Sequence, residues 1–318
     1  QEIAAAPDQI LLTTGASHAI ELVSQYLLRP GDAVLVDEPG YSVMMSNLRA
    51  RGARLIGVPW TPQGPDVGIL ERLVTEHRPR AFFTNSRLHN PTGASYSSAT
   101  AHRVLQLADR HDFVVVEDDV CADLDPSARR SLACLDQLNR VIYLTSFSKS
   151  ISPRLRVGFI AAHQDAIEDI TQIKMMTGLT SSEITERLAY EILTEGRFRK
   201  HIRGLRERLG VAQEQTAQRI EQAGLELFDT PKAGLFLWAR ETLTKTLVNR
   251  RLSSTLGLHL VAQMLLGTGA WLAGLSITQS ETMLVFTWAL TQILLAVWVE
   301  RWFALWPLAS GLFWPWQL

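Results

Sequence analysis

The chain has 318 residues, enough for one large domain or two smaller ones, and carries a formal net charge of -1 at neutral pH. That balance argues against a nucleic-acid surface in this piece, because such a surface shows as a basic excess. Its two cysteines, Cys121 and Cys134, make neither a disulfide framework nor a metal cluster, which fits a reducing, cytoplasmic setting.

From Gln1 to Leu12 there is no basic-then-apolar order of the kind a secretory signal shows. Short apolar runs then alternate with helical patterns. Ile10–Thr13 is predicted as a strand, followed by a glycine turn and a helix over His18–Leu28. Arg29-Pro30-Gly31-Asp32 stops that helix, since neither Pro nor Gly continues it. Ala33–Val36 is the next strand, closed by Asp37-Glu38-Pro39-Gly40, and Ser42–Arg51 returns to a helical pattern. Arg54–Val58, Ala81–Thr84, Phe113–Val116, Val141–Leu144 and Gly158–Ala161 read as further strands, with helical patterns over Pro65–His77 and Ser98–His111. From Ile184 to about Ala223 the pattern is helical again, with Arg and Glu forming a solvated face. Nearly continuous apolar strands alternating with helices predict an α/β fold, a parallel sheet covered on both faces. Ligands of such sheets bind at the carboxyl ends of the strands.

Residues with chemical potential fall at those ends. In Thr14-Gly15-Ala16-Ser17, Gly15 lets the backbone turn, and the amides of Ala16 and Ser17 start a helix that favours a phosphate, although taken alone a plain helix cap is the better reading. Asp118, in Glu117-Asp118-Asp119, ends an apolar strand, where a carboxylate can pair with a cationic ring nitrogen or simply be a solvated loop acid. Ser146-Phe147-Ser148-Lys149 sets an amine beside two hydroxyls, suited to forming an imine with an aldehyde. Arg156 follows seven residues later, with a guanidinium suited to clamping a phosphate.

Taken together, the loop glycine, Asn90-Pro91-Thr92-Gly93, strand-end Asp118, Ser146-x-Ser148-Lys149 and Arg156 resemble, in type and order, the fold-type I enzymes that use pyridoxal 5'-phosphate (PLP). The resemblance spans roughly Pro7 to Arg240. More narrowly, Val34–Tyr41, Leu88–Gly93, Ser146–Lys149, Lys174–Thr180 and Gly234–Trp238 resemble the aminotransferase-like domain of MocR-type regulators in the GntR superfamily. The resemblance implies the large domain of the aspartate-aminotransferase fold, with a mixed, mostly parallel sheet. It implies that Lys149 holds PLP as a Schiff base and moves protons at the substrate α-carbon. Asp118 would keep the pyridine nitrogen protonated, Asn90 would hydrogen-bond the ring oxygen, and Tyr41 would stack on the ring. Gly15, Ala16, Ser17, Ser146, Ser148 and Arg156 would hold the phosphate. The implied partners are an amino acid or amine effector or substrate, a second copy of the chain, and DNA through an N-terminal winged helix.

Three departures from the family stand out. Where relatives with an Asp-Asp-x-Tyr pattern carry a tyrosine that bonds the ring oxygen, this chain has Cys121, and a thiol is a poor donor. No arginine after Trp238 matches the family's α-carboxylate ligand. The chain starts at Gln1 without a winged helix, so a preceding segment is expected to be missing.

The composition breaks near residue 240, which divides a PLP-binding domain over 1–240 from an apolar tail, expected to be helical, over 241–318. Beyond Arg251 the charged residues are Glu281, Glu300 and Arg301, and seven of the nine tryptophans lie between Trp271 and Trp316. Leu252–Gln279 and Thr282–Val299 are uncharged runs of about 28 and about 18 residues, long enough to cross a bilayer. Lys245, Arg250 and Arg251 ahead of the first run fit a cytoplasmic side there. A frame slip or wrongly joined gene, a membrane-anchored fusion and a divergent small domain all fit this tail; the abrupt change favours the first. Three functions follow: the PLP-binding effector domain of a regulator, a free-standing aminotransferase of a small amino acid, and an inactive truncated relic.

Overall fold

The computed structural model of the chain describes residues 3–127, 129–230 and 233–239. Nearly all of these belong to one compact unit, formed by residues 1–223 and 227–238. Gly224–Glu226 and Ala239 are the described part of a second unit. The two apolar runs of the tail lie outside the described residues. Among the described residues no helix is long and apolar enough to cross a membrane.

Eight strands form one sheet: β1 (Ile10–Thr13), β2 (Ala33–Glu38), β3 (Arg54–Thr61), β4 (Gly64–Pro65), β5 (Ala81–Thr84), β6 (Val114–Asp118), β7 (Val141–Ser146) and β8 (Gly158–Ala161). Their order is β1-β8-β7-β6-β5-β2-β3-β4. The central run from β7 through β6, β5 and β2 to β3 is parallel throughout, while β8 is antiparallel to both β7 and β1. Two reversals cancel, so β1 ends on the same edge of the sheet as β7. That arithmetic brings the start of helix α1 (Ala16–Leu27) to the edge where the parallel strands also end.

Why the strands are apolar throughout follows from their two covered faces. Successive side chains in a strand point to opposite faces. Val34, Val36, Ala81, Phe83, Val116 and Leu144 enter one core with α1, α2 (Ser42–Ala50) and α6 (Gln164–Gly178). Leu35, Phe82, Val115 and Tyr143 enter the other with α3 (Val67–His77) and α4 (Ser98–His111). Each face excludes water, so alternation between apolar and polar residues disappears from the sequence.

Most predicted elements are present, with shifted ends. Strands β2, β6 and β7 run on into Glu38, Asp118 and Ser146, because their polar ends still pair with neighbours in the ladder. The long helical stretch is two helices, α7 (Glu183–Thr194) and α8 (Arg197–Gln222), broken at Gly196, whose φ is +72°. Helix α6 and the short α5 (Leu132–Asp136) were not foreseen. Helix α8 braces the edge that carries the strand ends. Arg206 Nε donates to the Asp123 carbonyl at 2.9 Å, and His201 Nε2 lies 2.9 Å from the Ser150 carbonyl.

Because β5 is sealed on both faces, Phe82→Ala should destabilise the chain by about 3–5 kcal/mol in urea unfolding. Ile10→Ala, on edge strand β1 where 39% of the side chain is already exposed, should cost about 1 kcal/mol or less by the same measurement.

Candidate active site

The carboxyl ends of β2, β5, β6 and β7 and the start of α1 surround a cleft of about 190 Å³. Nine of the ten residues expected at the site line it: Ala16, Ser17, Tyr41, Asn90, Asp118, Ser146, Ser148, Lys149 and Arg156. The tenth, Gly15, sits directly behind. It caps α1 with φ +79°, and a β-carbon there would come within 2.8 Å of Arg156 Nη2. Glycine at this position satisfies both the backbone turn and the close approach of the guanidinium. Arg156 Nη2 donates to the Thr14 carbonyl at 3.0 Å, which holds the cation over the helix start. Size does not single out this cleft, since one of about 340 Å³ is lined by Arg87, Tyr96 and His102. Its chemistry does: amine, carboxyl and guanidinium meet here.

Lys149 lies in the turn after β7 and is exposed to the cleft. In that turn the Ser148 amide donates to Ser146 Oγ at 3.1 Å, while Ser148 Oγ is buried without a partner. Asp118 is 3% exposed, and burial, assisted by nearby Asp119, pushes its pKa up to about 7. The Asn85 amide, the Val120 N–H and the Lys149 charge pull it back toward acid. Asp118 Oδ1 is also buried without a partner. Burial and the Asp118 charge both raise the Tyr41 phenol.

Buried polar atoms are nearly always paired. Three residues that line this one cleft, Asn85, Asp118 and Ser148, each carry a buried oxygen without a partner, and beside an amine and a guanidinium they fit a ligand that carries a cationic ring and an anionic group. The residues present therefore suit PLP: Ala16, Ser17, Ser146, Ser148 and Arg156 toward its phosphate, Asp118 toward its ring nitrogen, and Lys149 toward its aldehyde.

The flanking acids have other work. Glu117 accepts hydrogen bonds from the amides of Leu132 (2.8 Å) and Ala133 (2.9 Å) at the start of α5, and from Ser86 Oγ. Burial, with the Asp119 charge, lifts it to about 7. Asp119 pairs with the buried Arg87 guanidinium, accepting from Nε and Nη2. Burial opposes the Arg87 charge, but Asp119 more than offsets this and holds its pKa above the ordinary arginine value.

Cys121 is packed among Leu88, Leu124 and Ala233, away from the cleft lining. Burial, then the charges of Asp118 and Asp119, push its thiol up to about 12, so it stays protonated and unreactive. Among the described residues Arg156 is the arginine that lines the cleft, and none is left over for a substrate carboxylate.

Asn85, Val120, Pro153 and Phe236 also line the cleft, and sequence reasoning gave them no role. Asn85 had a usable signal. It stands one residue past an apolar strand, next to the strand that ends in Asp118. Its Nδ2 donates to the Asp118 carbonyl at 2.6 Å.

Comparison with known proteins follows the same line. The family model for aminotransferase class I and II matches residues 1–263. The chain belongs to that family, whose cofactor is PLP. It is similar to the 2-aminoadipate transaminase of Thermus thermophilus, 33% identical over 243 residues, 73% of this chain and 60% of the relative. It is also similar to the HTH-type transcriptional regulator YdfD of Bacillus subtilis, 32% identical over 238 residues, 73% of this chain and 49% of the relative. The regulator NorG of Staphylococcus aureus is 27% identical over 236 residues, covering 73% of this chain and 53% of NorG. The chain thus spans about half to three-fifths of the length of these relatives. Among solved structures, LysN, an α-aminoadipate aminotransferase from Thermus thermophilus complexed with N-(5'-phosphopyridoxyl)-L-leucine, superposes with a TM-score of 0.72 at 31% identity, covering 80% of this chain and 67% of LysN. The multiple substrate aminotransferase of Thermococcus profundus gives 0.69 at 27% identity, covering 72% of this chain and 59% of that enzyme.

The raised pKa of Asp118 has a stability consequence. Its carboxyl ionises less readily folded than unfolded, so it costs nothing below about pH 4. The cost grows through the window between its ordinary 3.8 and about 7 and levels above that, on the order of 4 kcal/mol. Asp118→Asn should therefore raise the melting temperature of the cofactor-free protein at pH 8, leave it unchanged at pH 4, and weaken PLP binding at both.

Proposed function

We propose that this chain is the PLP-binding, aminotransferase-like effector domain of a MocR-type transcription regulator in the GntR superfamily, with Lys149 as the lysine that carries the cofactor. The observation that supports it is the single cleft in which Lys149, buried Asp118 and Arg156 meet, in a chain 32% identical to an HTH-type regulator. When bound, PLP supplies an aldehyde and an electron-accepting ring. The protein's own groups do the rest. Lys149 presents its amine at the cleft and holds or returns a proton at the substrate α-carbon. Asp118 would pair with the ring nitrogen and favour its protonated form, a pairing that the buried surroundings would strengthen. Tyr41 would stack on the ring, and Asn90 would hydrogen-bond its oxygen. Gly15, Ala16, Ser17, Ser146, Ser148 and Arg156 would hold the phosphate through amides, hydroxyls and a guanidinium.

In this reading an amino acid or amine is the effector, and DNA is contacted by a winged-helix module ahead of this domain, in the cytoplasm. A second copy of the chain completes the unit. Met176, Leu179 and Ile184, which are 77%, 71% and 81% exposed, supply an apolar surface suited to such pairing. Cys121 in the place of a phenol favours sensing over turnover. A free-standing aminotransferase of a small amino acid is the second reading, favoured by the 33% identity to 2-aminoadipate transaminase. The domain boundary near residue 240 belongs to the same proposal.

Visible absorbance of the purified chain with added PLP tests the cofactor. A band should form, borohydride should fix its mass onto Lys149, and Lys149→Ala should lack both. A folded chain without the band would leave only the relic. Incubating the loaded protein with amino acids and a keto-acid acceptor separates the other two: no net transfer is expected, and steady turnover would make it an enzyme.

A further inference from the structure

Asp37 lies at the carboxyl end of β2, is 0% exposed, and does not line the cleft. Its Oδ1 accepts from Thr84 Oγ1 at 2.9 Å. Its Oδ2 accepts from the Asn85 amide at 2.9 Å and faces His89 Nε2 at 3.3 Å. Thr84 Oγ1 also lies 2.9 Å from the Tyr96 hydroxyl. His89 is equally sealed. Its ring stacks on Trp60 at 3.7 Å with 13° between the planes, and its Nδ1 lies 2.8 Å from Thr92 Oγ1. The His89 amide donates to the Ala94 carbonyl at 2.8 Å, and the Gly93 amide donates to the His89 carbonyl at 2.7 Å. Asn90 is therefore carried on a loop hung from His89 at both ends.

A sealed carboxylate is costly, and joining two strands does not require one, since apolar side chains do that at less cost. What Asp37 holds explains its presence. On one side it fixes Asn85, whose side chain bonds the Asp118 carbonyl. On the other it faces His89, which anchors the Asn90 loop. Both asparagines line the cleft.

We propose that Asp37 is a positioning residue for the cofactor site, setting Asn85 beside Asp118 and, through His89, setting Asn90, so that one buried carboxylate aligns two walls of the cleft. This rests on the reading in which Lys149 carries PLP. Outer groups of this kind fix those that touch a ligand.

The test is the pH midpoint at which the visible band of the PLP-loaded full chain changes colour. That midpoint senses the polar groups around the ring. Asp37→Asn and Thr84→Val should each move it by about half a pH unit or more. Thr84→Ser keeps the donor and should leave it within about 0.2 unit. Leu70→Ala, a fully buried change on α3, should lower the melting temperature without moving the midpoint. If Asp37→Asn does not fold, the Thr84 pair decides alone. An unmoved midpoint in the folded variants, or an equal shift in Leu70→Ala, would overturn the proposal while PLP binding stands. A wild-type chain without the band overturns both.

Discussion

At the end of β6 the Asp118 carboxyl is cut off from water, and burial holds its pKa near 7. It has two acidic neighbours in sequence, Glu117 and Asp119, and all three are buried. Three adjacent carboxylates in a dry interior repel one another unless each has its own partner. Strand alternation resolves this. Glu117 turns to the amides that start α5, Asp118 turns to the cleft, and Asp119 takes Arg87. Only Asp118 is left with an unpartnered oxygen among these contacts, and it is the one placed to receive a cation.

The same separation of duties extends across the sheet. Each strand end supplies one group facing the cleft and one group facing inward. β2 leads to Tyr41 in the wall and keeps Asp37 inside. β5 leads to Asn85 in the wall and keeps Thr84 inside. The inward members form a hydrogen-bonded layer beneath the site, from Tyr96 through Thr84 to Asp37, whose other oxygen faces His89 Nε2 at 3.3 Å. A cleft built on rigid strand ends gains precision from such a layer.

Much of this could be read from the residues before any coordinates. Apolar runs located the strands because both faces of the sheet are covered, and the strand-end rule placed Lys149, Asp118 and Arg156 together. What escaped has a common physical cause. Asp37, Glu117 and Asp119 look like loop acids in one dimension, because their burial comes from elements far away in sequence: β5 for Asp37, α5 for Glu117 and Arg87 for Asp119. Helix α6 escaped because its polar face is long and its first turn carries no strong punctuation. The break at Gly196 escaped because one glycine inside a helical pattern is a weak signal. Cys121 was legible as a departure, but its inertness depends on Leu88 and Ala233 closing around it.

Pairing of β1 with β8 brings residues 10 and 161 side by side, and Arg156 reaches back 142 positions to the Thr14 carbonyl. On the ribosome, β1 therefore emerges long before β8, its neighbour in the sheet among the described residues. Until β8 is made, Ile10–Thr13 lacks that neighbour, and the turn after it lacks the Arg156 guanidinium that closes it. Contacts of such high sequence separation form late and slowly. The anion cradle, which needs Arg156 beside Thr14, therefore waits on chain made 142 positions after the turn it closes. A strand edge left without its neighbour for that interval is open to wrong pairings, a general hazard of unpaired strands in growing chains.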